Sequence, residues 1–271
     1  MYAGTTIRHG SGKIVGVHQR IDRAARRHLK GFIPKSITFP TIKEILYFEG
    51  NNGPDGIKRK GSLSDQPWYF IDPSKPDDRG LILIINDHIY NLSVALRSGD
   101  QVRSSFEAAW LSHAIVDGLT PAHHYPLGDK IEELWGKSHN ERTTLMDKGI
   151  IHGENLRDTL SKNWEYWGAG GVFTTHGMFE LGVASAIASE TYRKPCLAKK
   201  DVTRLKRIGY EAMFNEALHE IDGLKMYDEL GKTGWTQRLA RQTRKVLVPR
   251  MILMVALAWC EAIKMAKSSE L

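Results

Sequence analysis

Cysteine is almost absent: Cys196 and Cys260 are the two in 271 residues, and neither has a Cys or His neighbour at zinc-finger spacing. That argues against a disulfide-stapled scaffold. Long apolar runs are missing too. The longest, Met251 to Cys260, is bounded by Arg250 and Glu261, and its ten residues fall short of a membrane span, so it reads as a buried core helix. The first thirty residues scatter Arg8, Lys13, Arg20, Arg23, Arg26 and Arg27 through polar sequence with no apolar centre. No signal-peptide pattern is visible there, so the expectation is a cytoplasmic protein, or a secreted one if a leader has been removed. Alternating β patterns are nearly absent, and no linker, composition shift or internal repeat divides the chain.

What is present is enough apolar sequence for a core, 41% against 25% charged, which excludes intrinsic disorder. The surplus of 38 Lys and Arg over 31 Asp and Glu gives +7 and favours encounter with anionic partners. Helical periodicity runs almost throughout. Val17, Ile21, Ala24, Ala25 and Leu29 fall on one stripe, predicting a helix from about Val15 to Lys30. Further helices are predicted at about Thr41 to Phe48, Leu81 to Arg97, Gln101 to Asp117, Leu127 to Gly136 and Asn155 to Trp167. Three more follow at His176 to Tyr192, Asp201 to Leu224 and Trp235 to Lys267. Between Glu49 and Arg79 the density of Gly and Pro predicts a long loop. The expectation is a single all-α domain.

The segment Trp110-Leu-Ser-His113-Ala-Ile-Val-Asp117-Gly-Leu-Thr-Pro121-Ala-His123-His124 is the most informative. His113 and Asp117, four apart on a helix, project from one face within reach of one cation. Pro121 ends that helix, and the turn it imposes can return His123 to the same helix end. A second pair, His176 and Glu180, repeats the spacing. With 11 His and 31 acidic residues a single such pair arises by chance; imidazole with carboxylate is nevertheless the ligand set of catalytic zinc.

His113-x-x-x-Asp117-x-x-x-Pro121-x-His123, followed by His176-x-x-x-Glu180, resembles the signature of the zinc-dependent phospholipase C and S1/P1 nuclease superfamily, helical proteins with a trinuclear zinc cluster. The likeness extends upstream to Gly16-Val-His18-Gln-Arg-Ile21 and to Gly53-Pro54-Asp55. It implies Asp55, His113 and Asp117 on one zinc and His123, His176 and Glu180 on a second, with Asp117 bridging to a third that His18 also binds. Three departures accompany it. Pro67-Trp68-Tyr69-Phe70 places Tyr69 where the family has a His, and a neutral phenol is a poor ligand, so His88 is the possible substitute, or else a residue beside the ligands. The family's N-terminal Trp, which completes the third zinc, has no equivalent in Met1-Tyr2-Ala3, leaving that metal open, with His9 a stand-in. The stretch from His123 to His176 is long, an insertion at about 127–173 in which Glu132, Glu133, His139, Glu141 and His152 would wall the cleft.

The resemblance implies a zinc-dependent hydrolase of phosphate esters, phospholipase C-like, with two zinc ions expected, a third uncertain and Asp55 as general base. A phospholipid head group or other phosphodiester is the expected substrate, with membrane-surface contact as a further partner. Trp68, Trp164 and Trp167 are the expected substrate wall. Because exposed aromatics serve nucleotide bases as well as choline groups, nucleic acid is the alternative substrate; a metal-binding protein without turnover is the other alternative. The HD-type phosphohydrolases need an adjacent His-Asp pair, which the chain lacks: Asp87-His88 is reversed. Oligomeric state is not read from the sequence.

Overall fold

A computed structural model describes residues 1, 16–60, 69–124, 127–136, 150–168, 170–194 and 196–268, excepting the side chains of 58–60, 127–129 and 131. Its regular elements are all helical, with no strand among the described residues. In chain order they are α1 (Val17–Leu29), α2 (Ile42–Tyr47), α3 (Pro54–Lys60), α4 (Gly80–Ser98), α5 (Gln101–Gly118), α6 (Pro121–His124), α7 (Leu127–Trp135), α8 (Leu156–Trp167), α9 (Val172–Ala186), α10 (Lys199–Ile208), α11 (Tyr210–Asp222), α12 (Met226–Thr233), α13 (Gln237–Gln242) and α14 (Val248–Ser268).

The core is built around α14, whose apolar residues are buried nearly all round because α1, α4 and α5 pack against it. Trp259, fully buried, donates its indole N–H to the Ala108 carbonyl at 3.1 Å and so ties α14 to α5. The helix run Gln237–Ser268 is long and apolar enough to cross a membrane, and 72% of its apolar window is buried inside the protein. It passes through a π-helical turn at Thr243–Leu247, a wider turn that shifts the register of the faces on either side. α4 and α5 form a hairpin: Gly99 takes φ +71° to close α4, and the Asp100 carboxylate accepts from the Arg103 N–H to open α5. In α2, Thr41 and Glu44 cap each other reciprocally.

Several expected boundaries are corrected. The predicted loop from Glu49 to Arg79 contains a 3₁₀ turn at Gly50–Asn52 and the helix α3, which opens on Pro54, a residue well suited to the first helical position. The expected helix from Asp201 to Leu224 is two helices, because Gly209 at φ +80° redirects the chain between them. The helix expected at His176 to Tyr192 begins a turn earlier, at Val172, and ends at Ala186. The helices α6 and α12 were not predicted. A second, small apolar cluster of Leu134, Trp135, Ile151 and Tyr166, with Val172 against it, is separate from the main core and lies within the segment read as an insertion.

Candidate metal centre

Five helices deliver the candidate residues to one place. His18 stands one residue inside the start of α1, and Asp55 lies in the first turn of α3. His113 and Asp117 occupy the last turns of α5. Thr120 then bonds back to the Val116 carbonyl through its hydroxyl, and the His123 N–H reaches the Thr120 carbonyl at 2.8 Å, so the chain reverses into α6. That reversal leaves His123 Nδ1 3.9 Å from Asp117 Oδ2. α9 contributes His176 and Glu180, whose Nε2 and Oε1 are 3.0 Å apart.

The spacings fall into two groups, His18 with His113 and Asp117, and His123 with His176 and Glu180. His113 Nε2 lies 3.4 Å from Asp117 Oδ2 and 3.5 Å from Asp55 Oδ1, while His18 Nε2 lies 3.4 Å from the other oxygen, Asp117 Oδ1. One carboxylate thus addresses two positions through its two oxygens. In the second group His123 Nε2 is 3.6 Å from Glu180 Oε1. Most of these separations are too long for good hydrogen bonds. They match the edge of a tetrahedron, about 3.4 Å, that imidazole and carboxylate ligands span at bonds of about 2.1 Å to a small divalent cation. Consistently, His113 Nε2 and His123 Nε2 are buried with no hydrogen-bond partner. A buried nitrogen left in that state is costly unless something else takes its lone pair or proton.

The rings are held from behind. Glu49 Oε2 lies 3.3 Å from His113 Nδ1, and the Tyr69 carbonyl accepts from His123 Nδ1–H at 3.0 Å, so each ring presents Nε2 to the centre. His18 stacks on His113 at 3.8 Å and 7°, and Phe70 stacks on His123 at 4.7 Å. Behind Glu49, Ser112 donates its hydroxyl to Asp22, whose carboxyl is pushed well above the usual range by burial and by Glu49. Glu49 and Asp22 were not foreseen. Their sole sequence signal is that acidic residues occupy positions which packing buries completely.

Met1 also enters the centre. Its amine lies 2.5 Å from Asp117 Oδ1 and 3.1 Å from Glu180 Oε1, and its carbonyl lies 3.0 Å from His18 Nε2. Burial works against the ammonium, yet Asp117, Glu180 and Asp55 raise its pKa to about 10. Burial likewise opposes ionisation of Asp117 and Glu180. The Met1 amine, with His123 and then His113 for Asp117, and with His123 and His176 for Glu180, nevertheless holds both carboxyls well below the usual range. Against the cost of burial, Glu49, Asp117 and Asp55 raise His113 well above the ordinary imidazole value, whereas burial pushes His123 down to about 4. The four carboxyl groups of Glu49, Asp55, Asp117 and Glu180 therefore outnumber the two cations beside them, the Met1 ammonium and the His113 ring, the condition that favours cations of higher charge.

Other expected residues do not join the two ligand groups. His88 is taken by Glu107, Nδ1 to Oε2 at 2.5 Å, and is not recruited to the centre. Tyr69 is buried beside His113, ring centroids 5.6 Å apart, and its hydroxyl is kept protonated by burial and then by Asp117, Glu49 and Asp55. Trp167 packs on Phe173 at 4.7 Å, while Trp164 stands on the exposed face of α8. Glu133 pairs with Lys130, and His152 is exposed. Trp68, His9, His139 and Glu141 lie outside the described residues. Comparisons with family models, with curated proteins and with solved structures return no match.

Proposed function

We propose that the centre holds zinc and that the protein is a phosphodiesterase of the phospholipase C and S1/P1 nuclease type, acting on phospholipid head groups. The observation that carries the reading is the two neighbouring groups, His18 with His113 and Asp117, and His123 with His176 and Glu180, in which buried Nε2 atoms of His113 and His123 lie at tetrahedral-edge spacing from carboxylate oxygens with no hydrogen-bond partner. Asp55, His113 and Asp117 would hold one ion, His123, His176 and Glu180 a second, and His18 with Asp117 Oδ1 a third, beside the Met1 amine and carbonyl. Bound zinc supplies Lewis-acid polarisation of a phosphoryl oxygen and a water of lowered pKa.

The chain's own residues orient and exchange protons around that chemistry. Asp55 keeps 24% of its side chain open, whereas Asp117 is sealed, so Asp55 is the carboxylate placed to take a proton from an attacking water at Oδ. Glu49 and the Tyr69 carbonyl lock the two imidazoles so that their lone pairs do not swing away.

Turnover of p-nitrophenyl phosphocholine, bis-p-nitrophenyl phosphate and single-stranded DNA by zinc-loaded protein tests the reading. The phosphocholine ester is expected to be cleaved fastest. Faster degradation of DNA would make the protein a nuclease, and no turnover by fully loaded protein would leave a metal-binding protein on this scaffold.

A further inference from the structure

His124 closes the segment that supplies His113, Asp117 and His123, yet it belongs to neither ligand group. It is 7% exposed and lines a cavity of about 150 Å³ between α6 and the turn from α11 into α12. Its Nε2 lies 2.8 Å from the Gly118 carbonyl, and a carbonyl only accepts, so the ring proton is on Nε2 and Nδ1 carries a lone pair. The two nitrogens of an imidazole point in nearly opposite directions. With Nε2 turned to the end of α5, Nδ1 is directed to the side on which α11, α12 and the cavity lie. There it is buried, with no hydrogen-bond partner among the described residues. Burial disfavours a second proton on the ring, so Nδ1 stays an acceptor, and leaving it unfilled is costly. Charge comes from the rim. Lys225, at φ +50°, turns the chain from α11 into α12, and its ammonium lies 2.7 Å from Asp222 Oδ2. Asp228, in the first turn of α12, brings a second carboxylate to the cavity, which thus sets two carboxylates against one ammonium.

We propose that this cavity binds a small primary ammonium, which donates one N–H to His124 Nδ1 and lies beside the carboxylates of Asp222 and Asp228. None of the residues lining it belongs to the two ligand groups, so the proposal stands apart from the zinc reading. The chemistry of the lining selects this class. A carboxylate or a phosphate dianion has no donor to give Nδ1, and the surplus negative charge of the rim repels it. A quaternary ammonium brings the charge without the donor. A metal ion needs its ligand atoms close together, and His124, Asp222 and Asp228 form no such group. The volume admits about six non-hydrogen atoms, and Met226, fully buried, gives the alkyl part an apolar wall. An amine carried on a phospholipid brings its phosphate to the same rim, so the occupant is a free amine.

The test is isothermal titration calorimetry with n-propylammonium chloride, at fixed ionic strength in a buffer free of primary amines. The wild type is expected to bind one equivalent with a Kd of about 1 mM, the range open to a ligand of this size. Tetramethylammonium on the wild type, and propylammonium on Asp222→Asn, are each expected to bind at least about tenfold more weakly. Asp222 is partly exposed and asparagine stays polar, so melting temperature and zinc content are expected to remain at wild-type values in that variant. Asp55→Asn is expected to keep the amine site. No binding of propylammonium by the wild type overturns the proposal, as does unchanged affinity in Asp222→Asn. Tetramethylammonium bound as tightly as propylammonium would remove the donated N–H and overturn it too. Binding lost in Asp55→Asn and kept in Asp222→Asn would put the amine in the metal centre, and tighter binding of O-phosphoethanolamine than of propylammonium would make the cavity an anion site on Lys225. Either result overturns the proposal as well.

Discussion

Asp117 is the residue on which the centre turns, because its two oxygens face His113 and His18 separately and its backbone sets the turn into α6. Asp117→Asn removes the charge shared by two positions and is expected to lose both metal and turnover. Asp55→Asn is expected to spare the ion held by His123, His176 and Glu180, yet to lower the rate at least about 100-fold if Asp55 takes the proton. Zinc stoichiometry and rate, measured on both variants, separate the two roles. Glu49 acts one shell out: Glu49→Gln is expected to weaken zinc binding by about 10- to 100-fold, as losing a carboxylate behind a ligating imidazole does. Competition with a chelator of known affinity checks this, and unchanged affinity would show that Glu49 does not hold His113.

At the scale of elements, α9 must approach closely to bring His176 and Glu180 to the centre. Gly182 makes that approach possible: a Cβ there would meet the Trp235 ring at 2.2 Å, and the indole has no flexible end to yield. Gly182→Ala is therefore expected to cost about 1–3 kcal/mol and to loosen the second metal group, read as a lower melting temperature together with weaker zinc binding. The pairs His113/Asp117 and His176/Glu180 were legible in the sequence because each lies within one helix, where spacing alone fixes direction. Glu49 and the Tyr69 carbonyl were not, since they reach their imidazoles across chain separations of 64 and 54 residues. The helix α3 was hidden for another reason: Gly53 and Pro54 read as loop formers, although Pro at a helix start is equally a beginning. Gly209 concealed the opposite error, since a single glycine inside a periodic pattern gives no sign of its φ until the chain is folded.

At the scale of the whole molecule, the all-α architecture followed from periodicity and missing β alternation, whereas the gathering of distant segments was implied by the family resemblance and not by periodicity. His28 shows how such gathering couples to pH. It joins α1 to the segment after α9, donating from Nε2 to the Tyr192 carbonyl and accepting at Nδ1 from the Cys196 N–H. Burial lowers its pKa below the free value of about 6.5. Above that pH both folded and unfolded chains carry a neutral ring and nothing is gained. Below it, the unfolded chain takes up a proton that the folded one resists, so stability falls with falling pH until the folded pKa is reached. Melting temperature is expected to drop on acidification below about pH 6.5. The drop is expected to be smaller in His28→Gln, which keeps a donor and an acceptor without the titration; an identical slope would remove His28 from the account of acid sensitivity.

The existence of the metal centre itself is tested most directly by elemental analysis of purified protein before and after dialysis against zinc. Ligand groups gathered from α1, α3, α5, α6 and α9 predict at least about two zinc ions per chain, since each group supplies the three protein ligands that an open zinc site uses. Less than about half an equivalent, unrestored by dialysis near neutral pH where such ligands bind, would contradict it.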